Sequence, residues 1–524
     1  MSTSIGIDLG TTTTIVTYRN KRGRLRQLRY GGETLIPSVI YFRSPDEWII
    51  GKAAKTQMQI HPEAGIESFK RRIGDYGNRY DVTSENGDQF RISGRQAAEK
   101  FLATLVKYFD DKVIEAANDM DATIEHAVIT VPAKFSTVEK EATKRAARNA
   151  QLSSVQTVIE PTAAAVAAFG GQEEAMHDGM ALLVYDFGGG TFDVSVIQRE
   201  RGMFQEIATN GDKHLGGNDL TDRIVQFLIE RVNDEYGTPL VMDPEELDED
   251  EMPLDVYQKN MYAIRTVAND MKEALSDEDE VTREIGLLIN GQPEQYEAHL
   301  TRQRLEGFIK NDINRTVDIT LQTIEEAKEN GVADINQVVL AGGSSSIPMI
   351  QRVLKERLEQ RHVLSGEDAS YLISTGASML AEKADEIANL TSTITNTRLG
   401  VAVWEDIPRQ FAPIIRENQK LPCSGTHRFR LGEDGQRQFK VYVAEHDVKN
   451  YPEAVRVGET GIEQIDVITI DELPPGLKKN ETEIEVTFTE QMDGNLDIHV
   501  QLLGADGKPI RSEVHHINKE SDVE

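Results

Sequence analysis

Two textures of apolar and polar positions divide the chain. Through about residue 385, short apolar runs alternate with stretches whose apolar positions recur at helical spacing. Residues 4–9 and 128–131 predict short buried strands, and 181–197 predict a β-hairpin. Residues 138–151, 220–236 and 257–275 predict helices. Such alternation predicts α/β layers. The texture changes after Asn389. Residues 390–397 (LTSTITNT) are polar and β-branched, as an extended connector would be. From Leu399 short alternating runs follow, at 438–444, 483–489 and 496–503, with Asp-Gly turns at Asp434-Gly435, Asp493-Gly494 and Asp506-Gly507. These predict an antiparallel β-module. The expected organisation is therefore an α/β domain over 1–385, a linker over 386–398, the β-module over 399–515 and a polar tail over 516–524.

Composition narrows the function. At 524 residues the chain exceeds what one hydrophobic core organises. No apolar run approaches the roughly 20 residues of a membrane span, and no signal peptide is visible at the N-terminus. A formal net charge of −31 repels phosphate backbones and anionic lipids, so neither nucleic acid nor membrane is an expected partner. The single cysteine, Cys423, excludes an intramolecular disulfide and fits a reducing cytoplasm. The acidic run at 243–251 (DPEELDEDE) reads as a solvated loop.

The chemistry lies in two similar segments, 5–16 (IGIDLGTTTTIV) and 183–194 (LVYDFGGGTFDV). Each has an apolar strand, an Asp, an apolar residue, then a Gly followed by small or hydroxyl residues and a second strand. The pair reads as an internal duplication, with one phosphate-binding hairpin per lobe. A tip rich in Gly and Thr lets backbone N–H groups approach phosphate oxygens, and the hydroxyls of Thr11, Thr12, Thr13 and Thr191 add donors. Asp8 and Asp186, each ending a first strand, suit a hydrated Mg²⁺ held between the lobes. A third glycine element, Gly342 and Gly343 followed by Ser344, precedes a helix expected near Pro348. It would present backbone to a nucleoside or a phosphate, although a plain strand-to-helix turn reads the same way. Glu160 opens a small-residue helix, 163–168, whose composition indicates close packing. Lys70, in 68–72 (SFKRR), reads as a surface lysine on these grounds alone.

Taken together the motifs resemble the 70-kilodalton heat-shock chaperones of the DnaK type. The resemblance runs through IGIDLGTTTT (5–14), SFKRRIG (68–74), ITVPAKF (129–135), IEPTAAAVAAFG (159–170), VYDFGGGTFDVSVI (184–197), NGDKHLGGNDL (210–220), LTRQRLEGF (300–308) and AGGSSSIPMIQ (341–351). It continues more thinly through RLGV (398–401), LPCSG (421–425) and EVTF (485–488). It implies a two-lobed, actin-like ATPase domain followed by a small antiparallel β-sandwich that binds polypeptide. It also implies roles. Asp8, Glu160 and Asp186 would organise Mg²⁺ and its waters, and Lys70 would contact the γ-phosphate and the attacking water. Asp193 would position water or a monovalent ion such as K⁺. Gly10, Thr11, Thr12, Thr13, Gly188, Gly189, Gly190 and Thr191 would cradle the phosphates of ATP or ADP. Gly216, Gly217, Lys272, Ser276, Gly342, Gly343 and Ser344 would surround the nucleoside. Val401, Trp404, Phe429, Phe439 and Val441 would line a peptide cleft.

Departures from the family pattern shape the expectations. Along one helix the family carries Glu, Lys, Arg and Ser, matched here by Asn269, Lys272, Glu273 and Ser276. Its second base-stacking Arg is matched by Ser346, so weak base selectivity is expected. The apolar linker is matched by the polar 390–393. An Arg tied to J-domain co-chaperones is matched by Gln156. A relay Arg is matched by Lys140, while the switch proline, Pro132, is retained. Weak coupling to J-domain proteins and exchange factors follows. Phe439 stands where a smaller aliphatic is usual, which would fill the cleft, and no helical lid is expected after the module. The reading is a slow, monomeric, cytoplasmic ATPase with chaperone-like action. Two alternatives stand beside it: a nucleotide-gated adaptor with one dedicated partner, and a small-molecule kinase of the actin-like superfamily. A filament-forming actin relative is disfavoured by the charge.

Overall fold

The structure is a computed structural model that describes residues 3–20, 22–75, 77–111, 124–169, 177–248, 250–358, 362–364, 369–392, 394–395, 397–403, 410–417, 419–448, 451–491 and 495–517. The chain divides into two compact units. One comprises Met1–Lys134 and Ala142–Ile387, the other Phe135–Glu141 and Ala388–Glu524. The grouping of 135–141 with the second unit departs from the continuous domain expected over 1–385. Local periodicity cannot reveal it, because that segment runs without a break into the helix Thr137–Asn149.

The first unit carries one sheet plan twice. The first sheet runs in the order Val155–Ile159, Ile124–Val131, Thr3–Leu9, Thr13–Arg19, Leu25–Gln27. The second runs His362–Leu364, Gln337–Ala341, Ala181–Phe187, Phe192–Glu200, Met203–Asp212. In each, the strand whose penultimate residue is the motif Asp lies parallel to a later strand on one side. On its other side it forms an antiparallel hairpin. This is the duplication read from the two motifs, now seen in five corresponding strands. The sequence dictates the layering. Ile5, Ile7 and Leu9, like Leu183, Tyr185 and Phe187, are buried, so both sheets are covered by helices.

The small-residue helix Glu160–Phe169 is one of the covers. A Cβ on Gly376, in the helix Ala369–Ala381, would lie 1.8 Å from Ala163 O, so these two helices touch backbone to backbone. The Ala-rich face is a packing device, as its composition indicated. The helices Gly217–Tyr236 and Leu254–Ala274 occupy the two stretches read from their periodicity. In the acidic loop, Pro244–Glu246 forms one turn of 3₁₀ helix, and its described acids are exposed.

The second unit is a β-sandwich of two antiparallel four-stranded sheets. One has the order Gln410–Ile415, Arg398–Val403, Phe439–His446, Ile462–Ile470. The other has the order Cys423–Arg430, Glu483–Glu490, Leu496–Leu503, Pro509–Ile517. Alternation is clean: in Glu483–Glu490 the residues Ile484, Val486, Phe488 and Glu490 are buried while their neighbours are half-exposed. Two boundaries differ from expectation. The last strand continues to Ile517, past the expected boundary at 515, and the linker is not extended throughout, since Ile387–Leu390 forms a helical turn. Asp493-Gly494, Thr393 and residues 518–524 of the expected tail lie outside the described residues.

Candidate active site

The motif acids gather around one lysine. Lys70 follows Ser68, whose backbone is left-handed at φ 54°, on a 3₁₀ turn that directs the side chain inward. Lys70 is 4% exposed, and its Nζ donates to Glu160 Oε1 at 2.8 Å. Its reading as a surface lysine is thereby corrected: turn geometry, invisible in composition, buries it. Thr130 Oγ1 donates to Asp8 Oδ1 at 3.3 Å from the adjacent parallel strand. Asp186 and Asp193 stand opposite each other across the second hairpin, and Thr191 Oγ1 donates to Asp193 Oδ2 at 2.9 Å.

These groups share a surplus of negative charge. Burial pushes the Asp8 carboxyl up to about 7, and the charge of Glu160 adds to the shift while Lys70 opposes it. Asp186 is held well above the carboxylate range, first by burial and then by Glu160, Asp193 and Asp8. Burial and then Glu160 push Asp193 up to about 6. Burial alone would lower the Lys70 ammonium, but the charges of Glu160 and Asp8 outweigh it and its pKa is raised.

The two hairpin tips meet. A Cβ on Gly189 would lie 1.7 Å from Thr12 Oγ1, and one on Gly190 would lie 2.4 Å from Thr11 Oγ1. Only glycine allows this approach. Ser38 Oγ donates to Gly10 O at 2.8 Å, and Ser38 N donates to Thr12 O, which together brace the first tip. Thr13 pairs with Pro37 at the start of its strand. The second tip rests on the N-terminus of the helix Gly217–Tyr236. Gly217 N donates to Gly188 O and Asn218 N donates to Gly189 O, at 2.9 and 2.8 Å. A Cβ on Gly216 would lie 2.5 Å from Gly190 C, so both glycines of that motif are contact points. Arg71, which carried no expected role, ties the assembly by donating to Gly190 O and to Asp219 Oδ2.

The nucleoside end is less complete. Gly342 has φ 78°, and a Cβ there would meet Phe187 O at 2.5 Å and Asp186 Oδ1 at 2.6 Å. Gly343–Ser346 is a 3₁₀ turn before the helix Pro348–Arg357, and Ser344 Oγ donates to Gly188 O at 3.0 Å. Lys272 is buried. Its Nζ donates to Gly217 O, Thr221 Oγ1 and Asn269 Oδ1 at 2.8, 2.8 and 3.0 Å, and burial pushes its ammonium down to about 8. Asn269 Nδ2 in turn donates to Glu273 Oε1, while Glu273 and Ser346 are exposed. Ser276 lies beyond the helix end. Its N–H donates to Glu273 O and its carbonyl accepts from Arg302, so its described bonds are made by backbone.

The donor set fits Mg²⁺ and a nucleotide. Among the described residues no three acidic, imidazole or thiol side chains converge closely enough to ligate one ion directly. Carboxylates that hold a hydrated Mg²⁺ through its waters need no such convergence. A cavity of about 140 Å³ adjoins the tips, lined among others by Thr11, Thr12, Ser68, Asn218, Thr221 and Asn269. The buried Thr12 Oγ1 has no hydrogen-bond partner, the mark of a donor awaiting a ligand oxygen.

In the second unit Val401, Phe439 and Val441 are 3%, 8% and 6% exposed and belong to one apolar core with Ile468 and Ile470. Phe429 is partly buried against that core. Trp404 lies outside the described residues.

A family model described as "Hsp70 protein" matches residues 4–522. The chain is similar to a chaperone protein DnaK of Thermotoga neapolitana, 29% identical over 511 residues that cover 96% of this chain and 78% of the relative. The corresponding protein of Thermotoga petrophila is 30% identical over 515 residues, covering 96% and 78%. A mitochondrial-type heat shock protein 70 of Encephalitozoon hellem is 29% identical over 524 residues, covering 95% and 81%.

Proposed function

This chain belongs to the Hsp70 family and is an ATPase, and from that premise we propose that it hydrolyses ATP slowly to drive a chaperone-like β-sandwich that engages polypeptide. The observation that carries the reading is the buried Lys70–Glu160 pair facing Asp8 and Asp186 between two interlocked Gly/Thr hairpins. Asp8, Asp186 and Glu160 would hold Mg²⁺ through its waters, and the bound ion would neutralise phosphate charge. Thr11, Thr12, Thr13, Gly188, Gly189, Gly190 and Thr191 cradle the phosphates with N–H and O–H donors. Lys70 meets the γ-phosphate, where it stabilises transferring charge and orients the attacking water. Asp193, fixed by Thr191, accepts a hydrogen bond from that water. Gly216, Gly217, Lys272, Gly342, Gly343 and Ser344 form the floor of the nucleoside end. J-domain co-chaperones and exchange factors are candidate partners of this cycle.

A second reading, a nucleotide-gated adaptor for one dedicated partner, is favoured by Phe439. Its phenyl ring is a core side chain, so a cleft centred on it offers a client little apolar area to bury. One experiment separates the two. A fluorescent leucine-rich heptapeptide is titrated against wild type and Phe439→Val, with and without Mg·ATP, alongside ATP turnover. Under the primary reading turnover is slow and Mg²⁺-dependent, wild type binds the peptide weakly, and Phe439→Val binds it at least about tenfold more tightly. Absence of peptide binding in both forms, with turnover intact, favours the adaptor. No Mg²⁺-dependent turnover in wild type overturns the primary reading.

A further inference from the structure

Besides Lys70 and Lys272, a further buried lysine stands at this site, and none of the roles above uses it. Lys134 lies in the turn that follows the strand Ile124–Val131 and is 6% exposed. Its Nζ donates to Gly211 O at 3.2 Å and to Asn210 Oδ1 at 3.5 Å. Gly211 is the residue opposite Asp193 in the antiparallel pair of Phe192–Glu200 and Met203–Asp212. A Cβ on Gly211 would lie 3.2 Å from Asp193 Oδ1, so that carboxylate borders the residue that anchors Lys134.

We propose that Lys134 is a built-in monovalent cation of the ATPase site, a positioning residue whose fixed ammonium offsets Asp193 and makes a bound K⁺ or Na⁺ unnecessary. This inference rests on the ATPase reading above.

Charge matching is the main argument. Four buried carboxylates among the described residues, Asp8, Glu160, Asp186 and Asp193, act on the ammonium of Lys70. Among these protein groups, and apart from the charge of the nucleotide itself, one divalent ion together with Lys70 leaves one carboxylate charge over, and Lys134 adds a positive charge that acts on Asp193. Neighbouring charges are already matched: Asp212 by Arg315, and Asp219 by Arg71. A buried charge without a partner is costly, so the site gains from a fixed counter-charge. Geometry is the second argument. A carbonyl oxygen and an amide oxygen beside a carboxylate are the hard oxygen donors that an alkali ion would take. An ammonium is a compact point charge that suits the same donors. Held on a stem fixed by burial, it is in place before substrate arrives, so no ordering of a free ion is needed. Electrostatics agrees, since the Lys134 charge opposes the rise of the Asp193 carboxyl. Sequence reading passed over Lys134 because its partners lie 76 and 77 positions away and one of them is backbone.

The test is single-turnover ATP hydrolysis with Mg²⁺, in NaCl, KCl, NH₄Cl or choline chloride at constant ionic strength. Wild type should turn over at the same rate, within about twofold, in all four salts. Lys134→Ala should be slowed at least about tenfold in choline and recover at least about fivefold in NH₄Cl or KCl, because the vacated stem admits a small cation. Lys134→Met retains the apolar stem and guards against misfolding. It should keep the wild-type melting temperature within a few degrees and lose rate in every salt. A tie that merely braces the turn would predict no salt-specific rescue. Wild-type stimulation by K⁺ several-fold over choline, Lys134→Met at full rate, or an alanine variant deaf to every cation would each overturn the proposal. No turnover in wild type would instead remove the reading on which it rests.

Discussion

Replacing Lys70 by methionine removes the ammonium that pairs with Glu160 while keeping most of the buried stem. Lys70 is 4% exposed and its Nζ lies 2.8 Å from Glu160, so its field is little screened by water. A unit charge about 4 Å from developing phosphoryl charge, at an effective dielectric near 20, is worth ~4 kcal/mol. Removing one preorganised stabiliser of a transition state costs roughly 3–4 kcal/mol, or about a hundred- to a thousandfold in kcat. Nucleotide binding should change far less. The phosphate cradle is built from many backbone and hydroxyl donors at two hairpin tips, and Lys70 acts mainly as charge redistributes. The substitution also strands Glu160 beside Asp8 and Asp186, so the metal-free protein should lose up to roughly 3–5 kcal/mol of unfolding stability. The assay pairs single-turnover hydrolysis with calorimetric titration of ATP, well below the variant's melting temperature. The expected result is a rate reduced a hundredfold or more with Kd within about threefold. A rate within twofold of wild type would refute the reasoning, and an equal loss of affinity and rate would make Lys70 a binding group instead.

Other consequences follow from the same geometry. Gly189→Ala should weaken ATP binding at least about tenfold, because its Cβ would lie 1.7 Å from Thr12 Oγ1 and force the tips apart; unaltered affinity in titration would show that the tips need not touch. Asp8 and Glu490 are pushed up to about 7, each by burial first, so between about pH 4 and 7 the native chain holds protons that the unfolded chain has released. Unfolding stability of the metal-free protein should therefore fall as pH rises from 5 to 7.5, and a melting temperature that climbs across that window in calorimetry would contradict the assignment. ATP and GTP should compete on similar terms, given exposed Glu273 and Ser346 at the nucleoside end; a preference above about a thousandfold, or ~4 kcal/mol, would mean that other residues select the base.

What the sequence made legible was chemistry written in local composition. Gly and Thr at a strand turn state their role directly, and repeating the pattern with an Asp in register announced both hairpins and the duplication behind them. The twice-used sheet order follows from that repeat. Alternation also marked the strands Phe439–His446, Glu483–Glu490 and Leu496–Leu503 of the second unit, because a sandwich buries one face of each strand and wets the other. Three features stayed hidden for physical reasons. The inward path of Lys70 depends on a left-handed Ser68, a conformation that composition does not encode. Arg71 and Lys134 each donate to a backbone carbonyl, Gly190 O and Gly211 O, and any residue type presents a carbonyl. The grouping of 135–141 with the second unit is a matter of tertiary contact, which a continuous helical period conceals.

The two ends of the site are constrained to different degrees, and the difference bears on what this ATPase recognises. At the phosphate end nearly every group is fixed from several sides. Gly188 O accepts from both Gly217 N and Ser344 Oγ, Gly190 O accepts from Arg71, and Gly189 and Gly190 of the second tip lie against Thr12 and Thr11 of the first. Shifting one element there disturbs several bonds, so the cradle is stiff and preorganised for triphosphate. At the nucleoside end the buried cation is already engaged: Lys272 donates to three oxygens of the protein itself. A ligand that recruits Lys272 must replace one of those bonds and gains only the difference. Asn269 is likewise shared between Lys272 and Glu273. Binding energy is therefore expected to be concentrated on phosphate and Mg²⁺ charge. That arrangement would preserve hydrolysis, whose transition state changes only at the phosphoryl group, and it is the physical ground for expecting the base to be weakly read.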